Sequence, residues 1–208
     1  MKKQIGITLL GFLMIQFSFA GVNQKVNNQK IIDSGTYKVQ MHDYKGAIVD
    51  FTNVLESDPE NVEVLFLRAE AKQSLDDYFG AIMDYNQILT YRNNSFEAFF
   101  QRGKAKSKLM DYRGAIKDFD TALKIAPDEE GVLMERGKAQ MALKSYQDSI
   151  SDFSKILKMD PQNKDAYYLR GLIFIHLGES GKGCEDLSHA GELGDEQAYE
   201  RIREYCVP

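Results

Sequence analysis

The chain has 208 residues, enough for one or two ordinary domains, and its formal net charge is −5. Hydrophobic residues make up 43% and charged residues 27%, which is typical of globular proteins and argues against a chain that is disordered throughout. The acidic balance argues against a nucleic-acid-binding protein, because such proteins usually carry a basic surface, and it leaves protein partners open.

The first twenty residues predict a secretory signal peptide. They combine a Lys-Lys start, a mostly apolar stretch over Ile5–Phe19, and small residues at the two positions that signal peptidase recognises, Ser18 and Ala20. The alternative is an uncleaved membrane anchor, but the apolar stretch is shorter than the roughly 20 residues that a spanning helix needs. We therefore expect an exported protein, periplasmic or secreted, whose mature form has no membrane span.

Residues 21–27 follow the predicted cleavage site and are rich in Asn and Gln, without an apolar period. This composition predicts a flexible lead into the folded part of the chain.

A repeat of 34 residues dominates the sequence from residue 28 onwards. Two columns of small residues and one column of large apolar residues recur at this step. They are Ala47, Ala81, Ala115, Ser149 and Gly183; Gly35, Ala69, Gly103, Gly137 and Gly171; and Phe51, Tyr85, Phe119, Phe153 and Leu187. The register divides the chain into the units 28–61, 62–95, 96–129, 130–163 and 164–197.

Each unit predicts two helices joined by a turn. In the third unit, Phe99, Gly103 and Leu109 belong to one apolar helical face, and Phe119 belongs to the face of a second helix. Pro127 ends the second helix, because proline cannot continue it. The small columns fit a place where two helices cross closely, with the large residues filling the space beside the crossing. The sequence therefore predicts an all-α fold.

The repeat resembles the tetratricopeptide repeat (TPR), whose 34-residue pattern runs Trp, Leu-Gly, Tyr, Ala, Phe and Pro. At these places the third unit carries Phe99, Arg102, Gly103, Lys106, Ala115, Phe119 and Pro127. The pattern therefore lacks the Trp, the Leu before Gly, and the Tyr. The resemblance covers residues 28–197 and implies an α-solenoid of five TPR units, which residues 198–206 complete as a C-terminal capping helix.

Two charged columns follow the same step. They are Arg68, Arg102, Arg136 and Arg170, and Asp50, Asp84, Asp118, Asp152 and Asp186. In an antiparallel helical stack Arg102 can reach either Asp118 of its own unit or Asp84 of the unit before, and a partly buried guanidinium needs such a partner. We interpret the columns as an internal ion ladder that sets the stacking register. The alternative is a substrate-binding row of arginines.

Cys184 and Cys206 predict a disulfide. Asp195 lies near the turn between their two helices, and each cysteine is 11 residues from it, so both should lie at similar heights. Export would place them in an oxidising compartment, where disulfides persist. The alternative is a pair of small buried thiols.

The TPR resemblance implies that the first helix of each unit lines a concave groove. The period places a row of apolar side chains there: Ile32, Phe66, Phe100, Met134 and Tyr168. Lys104 and Lys138 lie one turn further along and add a basic spot. The functional interpretation is a groove for a partner protein or peptide. The alternative is that the row packs between neighbouring first helices.

The sequence carries no pattern typical of an active site. The three histidines lack metal-ligand spacing, and no nucleophile elbow, phosphate loop or dinucleotide glycine motif occurs. We therefore expect a non-enzymatic scaffold or adaptor of the cell envelope that takes no metal or cofactor and binds no nucleic acid. A self-assembling structural module and a non-catalytic subunit of an envelope enzyme are the alternatives, and the oligomeric state stays open.

Overall fold

The computed structural model describes residues 25–206, which form eleven helices and no strand. The prediction of an all-α fold of helix-turn-helix units is confirmed. The predicted signal peptide and residues 21–24 of the predicted lead lie outside the described residues, whereas residues 25–27 are already helical. Within residues 25–206, none of the helices has both the length and the apolar character needed to cross a membrane.

The helices alternate between the first and the second helix of each unit. Helix α1 covers residues 25–40, and the following helices are α2 (Tyr44–Ser57), α3 (Val62–Gln73), α4 (Tyr78–Tyr91), α5 (Phe96–Lys108), α6 (Tyr112–Ile125), α7 (Glu130–Ala142), α8 (Tyr146–Met159), α9 (Lys164–His176), α10 (Ser180–Glu192) and α11 (Glu196–Tyr205).

The chain divides into two compact parts between Tyr91 and Arg92. In the first part α2 and α4 both pack against α3. In the second part each helix from α5 to α11 packs against the next one, and α5 also contacts α7. Packing of consecutive helices is what a chain of helical hairpins produces.

The small and large columns meet inside each unit. The Phe119 ring is fully buried against Gly103, and a Cβ atom built on Gly103 would lie 2.6 Å from the ring. Gly137 meets Phe153 in the same way in the next unit. A methyl group at Gly103 or Gly137 would force the ring to shift, which agrees with the preference of this column for small residues, although the second unit has Ala69 there.

The five turns between first and second helices share one backbone conformation. His42, Asp76, Met110 and Lys144 have φ values of 58–61°, and Gly178 has φ of 78° at the equivalent place. The next residue then donates its N–H to a carbonyl of the preceding helix, as Asp111 does to Lys106 at 2.9 Å. This is the left-handed helix ending that glycine favours, and only the fifth unit uses glycine there.

The capping helix α11 begins at Glu196, two residues before the predicted start, and packs on α10. Ala198 is fully buried, and the Tyr199 hydroxyl donates a hydrogen bond of 2.8 Å to the Gly191 carbonyl. The sulfur atoms of Cys184 and Cys206 lie at bonding distance, with the Cα atoms 5.7 Å apart. This geometry joins the end of α11 to the second helix of the fifth unit.

Candidate partner-binding surface

The predicted ladder arginines bind aspartates of their own unit. Nε and Nη2 of Arg102 donate to the two carboxylate oxygens of Asp118 at 2.9 and 2.6 Å. The same paired hydrogen bonds join the other three arginines to their aspartates: Arg68 to Asp84, Arg136 to Asp152, and Arg170 to Asp186. Of the two predicted pairings, the one within a unit is therefore present in all four units.

The remaining guanidinium nitrogen reaches the preceding unit through a polar column that the sequence analysis missed. Nη1 of Arg136 donates to Asp120 at 2.6 Å, and Nη1 of Arg170 donates to Ser154 at 2.9 Å. Nη1 of Arg68 donates to Thr52 at 3.2 Å. The hydrogen bond with Asp152 and that with Asp120 raise the pKa of Arg136 above its ordinary value, against the effect of burial. The signal was available, because the residue after the large apolar column is polar in every unit.

A lysine column reinforces the ladder in the first three units only. Lys38, Lys72 and Lys106 each lie 2.7 Å from the ladder aspartate of their unit. Gln140 and Phe174 occupy the lysine position in the fourth and fifth units. Ladder arginines and aspartates are largely buried and bonded to one another, as expected of groups that join two helices.

Phe66 and Phe100, which the sequence places in the groove, are half-buried and pack against the core. Their ring centroids lie 6.0 Å from Tyr85 and 6.2 Å from Phe119, respectively. A Cβ atom on Gly131 would lie 3.7 Å from the Phe100 ring, so this ring also borders the next first helix. Each ring therefore packs against the core on one side and remains partly exposed at the surface.

The two predicted groove lysines differ in their surroundings. Lys104 places its ammonium 5.3 Å from the centroid of the Phe100 ring, a cation–π contact that keeps the charge at the surface. Lys138 forms an exposed ion pair of 3.0 Å with Glu135 on its own helix. The basic spot predicted from the sequence is therefore partly neutralised at Lys138.

Tyr168 and Lys138 meet at a shallow cleft of about 210 Å³, which Asp165, Asp195 and Gln197 also line. Met134 is half-buried and packs against the core of the second part of the chain. The structure thus brings two of the predicted groove residues together at a depression with both polar and apolar lining, the latter including Leu169.

A larger cleft of about 470 Å³ lies on α7, α8, α9, α10 and α11, and we call it the apolar cleft. Its lining includes Met141, Tyr146, Leu172, Ile175, His176 and Tyr205. This cleft was not predicted from the sequence. The signal was a change of residue type within two columns. One column has Gln73 and Ser107 and then Met141 and Ile175, although Val39 in the first unit is also apolar, and the other has Lys104 and Lys138 before Leu172.

A missing tyrosine contributes to the apolar cleft. Tyr112 and Tyr146 begin the second helices of their units and pack half-buried against the core. Ser180 stands at this position in the fifth unit and lines the cleft instead of filling it. Tyr205 borders the other side from α11, next to the paired Cys206, and the Tyr146 and His176 rings lie 4.8 Å apart.

A third cleft of about 480 Å³ involves the charged end of the ladder. Arg170 is bonded to Asp186 there, and Lys182 is paired with Glu179 and lies 5.4 Å from the Phe174 ring. Its cations already have partners, so this cleft is less suited to a ligand than the apolar cleft. Within residues 25–206 no group of three or more His, Cys, Asp and Glu side chains is arranged to hold a metal.

The family model described as tetratricopeptide repeat matches residues 100–163 and, in a second overlapping match, residues 134–182. Both matches lie in the second part of the chain, which contains the apolar cleft. No curated protein matches the sequence at a significant level.

Solved structures with the same fold cover most of the chain. A crystal structure of MamA shares 22% identity with a TM-score of 0.75, and the match covers 79% of this chain and 96% of that one. MamA from Desulfovibrio magneticus RS-1 shares 17% identity with a TM-score of 0.77, over 80% and 94%. YrrB, described as a TPR protein with an unusual peptide-binding site, shares 16% identity with a TM-score of 0.74, over 84% and 90%. The chain therefore has the fold of tetratricopeptide repeat proteins, and residues 100–182 carry the sequence pattern of that family.

Proposed function

We propose that this chain is a non-enzymatic scaffold that binds a partner protein or peptide through the first helices of residues 92–206. The observation that carries the proposal is the apolar cleft, where Met141, Leu172 and Ile175 stand in columns that are polar in the second and third units. Folding of a TPR unit does not require apolar residues at these positions, since other units of the same chain do without them.

The dimensions and lining of the apolar cleft suit a polypeptide side chain. Its volume of about 470 Å³ lies within the roughly 300–1,000 Å³ of typical ligand clefts. Met141, Leu172 and Ile175 supply apolar contact, while His176 and Ser180 supply polar groups and Tyr205 supplies part of the border. An apolar anchor with a few polar groups around it is the usual arrangement of a binding hot spot.

The YrrB structure supports a peptide as the ligand class. Its description names a peptide-binding site on a TPR protein, and its fold matches this chain over most of both lengths. The identity of 16% transfers the fold alone, so the contacts proposed here are those of this chain's own residues.

The proposal includes export to the cell envelope. The support is the Lys-Lys start, the apolar stretch over Ile5–Phe19 and the small residues Ser18 and Ala20. The placing of Cys184 and Cys206 at bonding distance agrees with an oxidising compartment. N-terminal sequencing of the protein from the envelope fraction should find Gly21 first, and an intact Met1 start would contradict cleavage.

The test of partner binding combines capture with substitutions borrowed from the chain's own units. Crosslinking in the envelope fraction of the source organism identifies the partner. Met141→Gln with Leu172→Lys then introduces the residues found at Gln73 and Lys104 in other units. We expect at least a tenfold loss of affinity, about 1.4 kcal/mol, with the helical content unchanged.

Gln73→Met, the reverse exchange in the second unit and outside residues 92–206, is the matched control and should leave partner affinity unchanged. Normal partner binding by the Met141→Gln, Leu172→Lys variant would contradict the proposal. Concentration-dependent growth of the purified protein without any partner would favour the self-assembling module instead.

A further inference from the structure

The second helix of every unit has two outward positions one turn apart, and these positions differ sharply between the units. They are occupied by Lys45 and Val49, Phe79 and Met83, Arg113 and Lys117, Gln147 and Ser151, and Gly181 and Glu185. All ten residues are exposed. In the last three units these positions hold polar residues or, at Gly181, no side chain. In the first two units three of the four side chains at these positions are apolar.

We infer that Val49, Phe79 and Met83 form a docking surface for a basic amphipathic helix of a partner protein. We call these three residues the outer apolar patch. The inference goes beyond the proposed function, because the patch lies on second helices in the first part of the chain and shares no residue with the apolar cleft.

The patch is not needed for the core of its units. Phe79 is 69% exposed, Val49 58% and Met83 55%, although the core positions behind them, such as Phe51 and Tyr85, are completely buried. Arg113 and Lys117 fill the same register in a unit that folds in the same way. Single exposed apolar residues are common, but adjacent large ones at positions that other units keep polar indicate an interaction surface.

Phe79 and Met83 are arranged to contact one face of a helix. Phe79 and Met83 are four residues apart on α4, so they lie on one face in consecutive turns. Val49 occupies the same repeat position on α2 as Met83 does on α4, and both helices pack against α3. The apolar strip along α4 fits the apolar face of an amphipathic helix, and Val49 presents an exposed apolar side chain at the equivalent position of α2.

The charges around the patch indicate that the partner helix is basic. Helix α4 carries no Lys or Arg, and Lys45 is the only basic residue of α2. The exposed carboxylates Asp43, Asp76 and Asp77 precede the two helices, and the exposed Glu56 lies near the end of α2. These four acids outnumber the two exposed cations, Lys45 on α2 and Arg92 directly after α4. A second copy of the chain would bring the same acidic border against itself, and an anionic membrane would be repelled, so a cationic partner fits best.

The test uses the whole mature chain and two synthetic helical peptides about 18 residues long, or about five helical turns. Both peptides carry the same leucine face, and the rest is lysine in one peptide and glutamate in the other. We expect the lysine peptide to bind and the glutamate peptide not to bind. Phe79→Gln with Met83→Ser, which borrows Gln147 and Ser151 from the fourth unit, should weaken the lysine peptide at least tenfold without changing the net charge.

Arg113→Gln with Lys117→Ser makes the same exchange in the third unit and should leave binding of the lysine peptide at least as tight. The Met141→Gln, Leu172→Lys variant should bind the lysine peptide normally, which separates this test from that of the proposed function. Circular dichroism melting of each variant checks the fold. If Phe79→Gln with Met83→Ser unfolds, the single exchange Phe79→Gln, which also leaves the net charge unchanged, replaces it.

Four results would overturn the inference. They are equal binding of the lysine peptide by the patch variant, equal binding of both peptides, a dimer of the wild type that the patch variant loses, and binding to anionic vesicles that depends on the patch. Equal binding by the patch variant would show that charge alone attracts the peptide, and equal binding of both peptides would show contact without selection for charge. Loss of a dimer would show that the patch serves self-association, and vesicle binding would show that it contacts a membrane.

Discussion

Arg102 and Asp118 are joined by two parallel hydrogen bonds, from Nε at 2.9 Å and from Nη2 at 2.6 Å, between the first and second helices of one unit. The Arg102 side chain is 17% exposed and that of Asp118 is 5% exposed, so little water competes for the pair. A planar guanidinium fits a carboxylate in this way, and the fit fixes the orientation of one helix against the other.

The arginine of the fourth unit should contribute more to stability than that of the second. Arg68→Ala leaves Asp84 with Lys72 at 2.7 Å, whereas Arg136→Ala leaves Asp152 facing a unit whose lysine position is Gln140. Removing one partner of a buried pair costs roughly 3–5 kcal/mol, and we expect about 3 kcal/mol for Arg136→Ala because water reaches the site. We expect about half of that for Arg68→Ala.

Urea unfolding of both variants measures this difference. Lys138→Ala, which removes an exposed pair with Glu135, is the control and should change the free energy of unfolding by less than about 0.5 kcal/mol. Equal losses for the two arginine variants would show that the lysine column does not support the ladder.

Asp50 should make the first unit sensitive to acid. Burial alone would raise the pKa of Asp50, but hydrogen bonds from Lys38 and Ser34 outweigh burial and lower it below its ordinary value of 3.8. Because the folded pKa is the lower one, the stabilisation is fully present above pH 3.8 and is lost as the pH falls through the folded pKa.

The measurement is the free energy of unfolding of wild type and Asp50→Asn from neutral pH to below pH 3.8. The variant should be less stable at neutral pH, and the difference should shrink in the acid range. Glu60→Gln, at an exposed residue, should show no such difference at any pH. A gap between wild type and Asp50→Asn that stays constant with pH would refute the role of this carboxylate.

The pair Cys184 and Cys206 should be oxidised in the exported protein and should hold α11 on α10. A disulfide that closes a loop of this size stabilises a protein by about 3 kcal/mol, by restricting the unfolded chain. Cys184→Ser with Cys206→Ser should therefore lower the melting temperature and speed hydrogen exchange of α11 amides more than those of α5. Thiol titration of the denatured, unreduced protein should find no free thiol, and two free thiols would contradict the prediction.

Gly178 should stabilise the fifth turn through its backbone alone. Its φ is 78°, and a Cβ atom there would meet nothing within 4 Å, so Gly178→Ala tests conformation without a steric clash. We expect a loss of about 1 kcal/mol in urea unfolding. Lys144→Gly, at φ of 61° in the equivalent turn, relieves backbone strain in the folded state. Glycine also makes the unfolded chain more flexible, which offsets part of this gain, so the variant should be neutral or stabilising. A Gly178→Ala variant as stable as wild type would exclude backbone strain.

The helical hairpins were predictable because their signal is local and repeated. The small residue at Gly103 and the large apolar residue at Phe119 have equivalents at the same step in the other units. A helix presents such columns on one face whatever surrounds it. Helices α3, α5, α7 and α9 begin at Val62, Phe96, Glu130 and Lys164, at the same step of 34. Residue type and spacing were sufficient here, since the small-against-large contact is made within one hairpin.

The ladder was predictable in its members but not in its bonds. Arg102 lies within reach of two aspartates in an antiparallel stack, so its choice of Asp118 depends on how far each helix slides past the next. The bond from Nη1 of Arg136 to Asp120 depends on the distance between units, which a single-unit pattern does not contain.

The apolar cleft and the outer apolar patch required the tertiary structure. Sequence alone determined that this chain is built from TPR-like helical hairpins, with charged columns inside and two cysteines placed to meet. Only the tertiary structure decided that Phe100 packs against Phe119, and that Ser180 and Tyr205 border the same cleft. The physical reason is that exposure and cavities arise from the packing of several helices, whereas helical periodicity is a property of each helix alone.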